Sequence, residues 1–235
     1  MRKYYAKKGS IPKPGEVWLP VGDKAHLMMI HLIDIERVKA FIPEELTITT
    51  VLPGKTLGLV FMTSMGPEST LPYHEFIIAP ALVKAGRKKG FYVTHIYVDN
   101  EKSQVGGRLD FGLDKQMAEF DWNWEPGKNG HVTVNKEGKI IISIKYKKQV
   151  GKLPLRLAGG VYSVLEDKLI WCNNIFKARF GFTKVEYITL PESPIYKDIR
   201  NIGIKKPILS IMGQNMMGYM GDDTQVVAFL PDRCK

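Results

Sequence analysis

The feature that most constrains the fold is the run of short β-branched and aromatic segments set between turn residues. Residues 131–147 read HVTVNKEGKIIISIKYK. Apolar and polar side chains alternate on both sides of Asn135-Lys136-Glu137-Gly138, and a period of two around a turn signal specifies a β-hairpin. Residues 57–64 (LGLVFMTS) and 91–99 (FYVTHIYVD) read as further strands, and Glu166-Asp167 as the turn of a second hairpin between 161–165 and 169–172. Residues 225–230 add one more apolar run. Helical signals are few. Asp34 is placed to cap a helix over 35–42, where Ile35, Val38, Phe41 and Ile42 share a face and Pro43 stops the chain. A second helix is expected over 194–202, and a short turn after Lys115. Many strands with few helices predict a barrel or a sandwich.

At 235 residues the chain can bury one good-sized core, and no linker or repeat divides it, so residues 1–235 read as a single domain. Prolines 12, 14, 20, 53, 67, 72 and 80 read as loop joints within it. No apolar run reaches the roughly 18 residues of a membrane span. The basic N-terminus is followed by no apolar signal core, which makes the cytoplasm the expected location. The net charge of +10 favours anionic partners. Its basic residues are scattered, however, and no nucleic-acid-binding motif accompanies them; Arg87-Lys88-Lys89, between glycines, reads as a solvated turn. Cys172 and Cys234 form neither a disulfide framework nor a metal-ligand spacing, and the five histidines are dispersed, so no metal is expected. Cys172 reads as a small buried hydrophobe, and the methionines at 212, 216, 217 and 220 as adaptable packing or a subunit contact.

Lys115 is the residue with the most chemistry in its surroundings. It is the only lysine between Lys102 and Lys128, and Phe111, Leu113, Met117, Phe120 and Trp122 flank it. Burial disfavours the charged amine and turns it into a nucleophile that condenses with a carbonyl carbon. The alternative is a lysine that lays its stem on apolar neighbours and keeps its ammonium wet.

Lys115 closes a pattern: Asp99-Asn100-Glu101, then Gly107-Arg108, then a lysine seven positions after the arginine. Upstream stand Tyr73-His74-Glu75 and residues 34–46 (DIERVKAFIPEEL). In order and spacing these segments resemble the acetoacetate decarboxylase family. The resemblance implies a mainly β fold, a closed cone-like antiparallel barrel with a few peripheral helices and the active site inside. It implies Lys115 as Schiff-base nucleophile, Glu75 as the carboxylate that moves protons or orients substrate, and substrate contacts from Lys24, Phe61, Tyr73 and Tyr97. No cofactor is called for, because the protonated imine is itself the electron sink. The implied partners are a small oxo acid and further copies of the chain in a homo-oligomer.

Three departures from the family bear on the reaction. The family's Pro-Lys-Lys is Asp114-Lys115-Gln116 here, so the adjacent cation is missing and burial alone must activate Lys115. Lys24 stands where the family has an arginine, and an ammonium holds a carboxylate without the bidentate fork. Leu59-Val60-Phe61 replaces a segment holding a second pocket glutamate, which suggests a greasier pocket and weakens the case for losing carbon dioxide. Decarboxylation of a 3-oxo acid such as acetoacetate leads the expectations. Aldol, dehydration or cyclisation chemistry through the same imine follows, and then a barrel that binds without catalysis. Arg108 is expected to pair with Asp99 or Glu101.

Overall fold

The structure, a computed structural model, describes residues 4–22 and 24–231; Cys234 lies outside them. The elements run β1 (His26–Asp34), α1 (Ile35–Val38) with a 3₁₀ turn at Lys39–Phe41, β2 (Thr47–Ile48), β3 (Lys55–Met65), β4 (Tyr73–Ala79) and β5 (Ala81–Ala85). There follow β6 (Lys88–Tyr92), β7 (His95–Val98), α2 (Glu101–Phe111), β8 (Lys115–Met117), β9 (Glu119–Asn123), β10 (Gly130–Lys136) and β11 (Lys139–Tyr146). The chain ends through β12 (Val150–Leu165), β13 (Lys168–Phe182), β14 (Val185–Thr189), a 3₁₀ turn at Pro194–Tyr196, α3 (Lys197–Ile202) and β15 (Leu209–Phe229).

Eleven strands form one sheet in the order β2-β5-β6-β12-β13-β15-β1-β3-β4-β7-β8, and β14-β11-β10-β9 form a second. The mainly β expectation holds, but two details of it do not. The large ladder ends at β2 and β8 and is not closed among the described residues, and its β6–β12 and β7–β8 pairings are parallel. The 91–99 run is likewise two strands rather than one. Val93 N bonds Tyr162 O while Thr94 N bonds Ile78 O, so the chain passes from the β12 side of the sheet to the β4 side at that point.

Local sequence explains the joints. Glu137 and Gly138 both have positive φ (53° and 71°), the pairing that lets a two-residue turn follow the twist of β10 and β11. Glu166 (φ 57°) and Asp167 join β12 to β13, a hairpin whose ladder runs back to Val150↔Phe182, far beyond the segments its sequence marks. The helix expected over 35–42 is α-helical only at Ile35–Val38 and continues as a 3₁₀ turn, and the Asp34 carboxylate makes no cap; it pairs instead with Lys55, and with Arg37 at 3.8 Å. The basic turn is confined to Gly86-Arg87, since Lys88 and Lys89 belong to β6 and the Lys88 ammonium lies 3.8 Å over the Trp171 ring.

Alternation along β3 and β4 positions the site. Val60, Met62, Phe76 and Ile78 enter the main core, shared with Val132, Val134, Ile142 and Ile144 of the smaller sheet. Each such burial contributes about 1.5–3 kcal/mol. Leu59, Phe61, Glu75, Ile77 and Ala79 point the other way and line a cavity.

His31 on β1 is buried, and that burial pulls its pKa down to about 4. An imidazole that is neutral when folded but takes up a proton when unfolded stabilises the fold at pH values above about 6.5. That stability is lost as the pH falls from there toward 4. A shift of this size is worth about 3 kcal/mol. Denaturant unfolding at pH 7 and pH 4.5 is expected to show this loss, and His31→Leu to remove most of the difference.

Candidate active site

Helix α2 builds one wall of the site. Asn100 caps it by accepting from Lys102 N (2.9 Å) and Ser103 N (3.2 Å), and Gly112, left-handed at φ 58°, ends it. Ser103, Gly106, Gly107, Asp110 and Phe111 are its buried residues, spaced three and four apart as one helical stripe. The chain then turns back into β8, whose first residue is Lys115. Leu113 O accepts from Lys115 N at 2.6 Å, and Gln104 Nε2 donates to Lys115 O at 3.1 Å, so the backbone of Lys115 is held at both polar groups.

Lys115 is 1% exposed and Glu75 4%, and Lys115 Nζ donates to Glu75 Oε1 at 2.8 Å and to Ser103 Oγ at 3.0 Å. The ring of Tyr73 lies 4.9 Å from Nζ and that of Trp18 5.4 Å, so two π surfaces flank the amine. Among the described residues Lys115 is the only buried lysine or arginine. The amine is therefore not a snorkelling surface lysine. Asp114 faces away and is exposed, paired with Arg108 at 3.0 Å; Arg108 does not pair with Asp99 or Glu101. Burial pushes the Tyr73 phenol well above its usual pKa, and the charge of Glu75 adds to that.

The segments flanking the pair are tied to each other. Asp99 accepts from His74 N at 2.7 Å and meets its Nδ1 at 2.6 Å, and Asn100 Nδ2 donates to Pro72 O at 3.0 Å. Those bonds fix the start of β4, which carries Glu75, against the start of α2, which carries Ser103. Three contributors carry no chemical signature in the sequence: Ser103, Trp18 and Asp110. Asp110 accepts from Trp18 Nε1 (2.9 Å) and Gly15 N (3.0 Å), pinning the N-terminal segment so that the Trp18 ring covers Lys115.

Gly107 is required by packing rather than by φ. A Cβ there would lie 2.4 Å from Lys115 Cε and 2.6 Å from its Cδ. Gly107→Ala is thus expected to displace the amine without costing helix stability, since alanine has the better helix propensity. A misplacement of about 1 Å lowers the rate of covalent chemistry roughly a hundredfold. Reductive trapping at Lys115 should fall accordingly while the thermal midpoint stays within a few degrees.

The pair opens on a cavity of about 390 Å³. Its walls are Met28, Leu59, Phe61, Ile77, Phe91, Val93 and Phe176, among others, and Lys115 and Glu75 are the charged groups on it. Of the expected substrate contacts, Phe61 is on the wall and Tyr73 packs beside Lys115. Tyr97 is on the opposite face of β7, stacked on Phe76 at 5.8 Å, because the residue beside Lys115 in the ladder is Ile96 and alternation turns its neighbour away. Lys24 is half-buried and does not line the cavity. Cys172 is buried as expected, lines the cavity, and has its thiol pushed up by burial. Among the described residues no cluster of His, Cys, Asp or Glu could hold a metal ion, and no helix is long and apolar enough to cross a membrane.

This fold has known counterparts. Acetoacetate decarboxylase from Legionella pneumophila superposes with a TM-score of 0.67 at 15% identity, covering 90% of this chain and 88% of that one. The enduracididine biosynthesis enzyme MppR, complexed with pyruvate, gives 0.67 at 12% identity over 94% and 98%. At such identities the likeness shows the fold alone. Protein NEOXANTHIN-DEFICIENT 1 of Arabidopsis thaliana is 27% identical over 97 residues, which is 41% of this chain and 34% of that protein. Its Solanum lycopersicum counterpart is 28% identical over 94 residues, 40% and 32% of the two chains. The matched segment thus spans about a third of the length of these relatives. The family described as acetoacetate decarboxylase (ADC) matches residues 4–163, a stretch that holds Lys115, Glu75 and Ser103 together, and the chain belongs to that family.

Proposed function

We propose that this protein is an enzyme that condenses Lys115 with the carbonyl carbon of a small molecule and uses the iminium to break or make the adjacent bond. The observation that carries this reading is the buried Lys115–Glu75 contact at 2.8 Å at the deep end of an apolar cavity. One proton passes from Nζ to Glu75, leaving a neutral amine and a carboxylic acid. The amine adds to the carbonyl carbon, and the added proton moves from nitrogen to the carbonyl oxygen to give the carbinolamine. Glu75 then returns its proton to that hydroxyl, water departs, and the nitrogen lone pair closes the C=N bond. The product is a protonated iminium beside the Glu75 carboxylate, with charge conserved throughout.

Decarboxylation of a 3-oxo acid such as acetoacetate is one use of that iminium. Among the described residues the cavity wall carries no second carboxylate at Leu59 or Phe61 and no cation apart from Lys115 to hold a substrate carboxylate, and this favours aldol-type or dehydration chemistry as the second reading. The test is intact-mass analysis after borohydride reduction with a panel of ketones, aldehydes and oxo acids, alongside headspace carbon dioxide. A single reduced adduct is expected. Gas release with a 3-oxo acid selects decarboxylation, and an adduct without gas selects the second reading. No adduct with any carbonyl compound sinks both.

A further inference from the structure

The register of the large sheet places Lys115 at the end of a transverse row. Ile211 pairs with Met28, Met28 with Phe61, Phe61 with Ile77, Ile77 with Ile96, and Ile96 with Lys115. Of these, Ile211, Met28, Phe61, Ile77 and Lys115 all line the cavity. The amine therefore terminates an apolar strip that crosses β15, β1, β3 and β4. Burial is graded along the cavity: Lys115, Glu75, Phe111 and Ser163 are buried, Leu157 and Phe176 are half-buried, and Ala158 and Gly159 are exposed. The polar pair is at the deep end, and the mouth is at the middle of β12.

We propose that the cavity takes a carbonyl compound with one long apolar chain, its carbonyl at Lys115 and its chain laid along Ile77, Phe61 and Met28 toward Leu157 and Phe176. This rests on the Schiff-base reading above and names its substrate class. At roughly 30 Å³ per non-hydrogen atom, the share of one water molecule, a cavity of 390 Å³ holds on the order of a dozen atoms, about twice what acetoacetate would fill. A chain lying on this strip buries its methylene groups against side chains that offer no polar partner. A charged tail there would be desolvated without compensation, because Lys115, the one cation on the wall among the described residues, is already engaged by Glu75 at 2.8 Å.

The experiment is a chain-length series of straight ketones, from butan-2-one to tetradecan-2-one, at equal subsaturating concentration. Acetoacetate and pyruvate serve as short charged comparators, and the reduced adduct is quantified by mass. Each added methylene is expected to raise the trapped fraction roughly three- to fourfold until the cavity is full, with both acids at least tenfold below the plateau. Gly159→Leu provides an internal control. Nothing lies within 4 Å of a Cβ at Gly159. Leu157, Val161 and Ser163, two and four residues away along β12, line the cavity, so the new side chain projects into it. Its plateau should come at shorter chains. Trapping of acetoacetate or pyruvate as efficient as that of the long ketones, or a flat chain-length series, would overturn the proposal while leaving Lys115 as nucleophile. Displacement of bound Nile red by the same ketones, in wild type and in Lys115→Met, separates the two claims. Displacement that rises with chain length in both proteins, with no adduct in wild type, upholds the apolar occupant and removes the imine. No displacement by any ketone overturns the occupant.

Discussion

Lys115→Met is expected to form no borohydride-trappable adduct with any carbonyl compound, a loss of about a thousandfold or more, and to keep the circular dichroism of the wild type. The size of the effect follows from placement. A nucleophile fixed beside its substrate gains an effective concentration on the order of 10⁵ M or more, and no other lysine among the described residues is buried. Methionine occupies a similar length without an amine, so the Tyr73, Trp18 and Phe111 packing keeps its support. An unchanged adduct yield would mean that the reactive amine lies elsewhere.

Glu75→Leu is expected to destabilise the fold by about 3–5 kcal/mol, because removing one partner of a buried ion pair strands the other. For a domain of this size that corresponds to a fall of roughly 6–20 °C in the thermal midpoint. The stranded Lys115 ammonium would keep only the Ser103 hydroxyl at 3.0 Å and the faces of two rings. The double variant Lys115→Met/Glu75→Leu should recover most of that loss, since an apolar pair of similar volume needs no compensation. Additive losses in the double variant would show that the two residues do not interact. Stability and chemistry separate here: the double variant is stable and inert.

The hairpin at Glu137-Gly138 and strand β3 were legible because period-two patterning and turn chemistry coincide there. Helix α2 was not, although it holds the site together. Its buried stripe is Ser103, Gly106, Gly107, Asp110 and Phe111, and a stripe made of serine, glycine and aspartate carries no hydrophobic periodicity. The glycines are there because Lys115 and Trp18 occupy the space a side chain would need. Lys115 and Glu75 could be named from motif spacing, and the structure brings them into contact. Ser103, the second acceptor of the Lys115 amine, could not, since a lone serine after a cap is ordinary. The resemblance aligns Lys24 with a pocket arginine, but a position in a sequence pattern says nothing about which side of a turn faces a cavity. Tyr97 lies on the other face for a simpler reason: a strand turns each successive side chain to the other face, and Glu75 and Lys115 take the cavity side at that end of the sheet. The greasy character suggested by Leu59-Val60-Phe61 is present in Leu59 and Phe61, while Val60 belongs to the main core.

The most direct measurement is peptide mapping of wild-type protein reduced with borohydride in the presence of a ketone. One modified peptide is expected, with the added mass on Lys115 and dependent on the ketone. Modification spread over exposed lysines, with the Lys115 peptide unchanged, would contradict it.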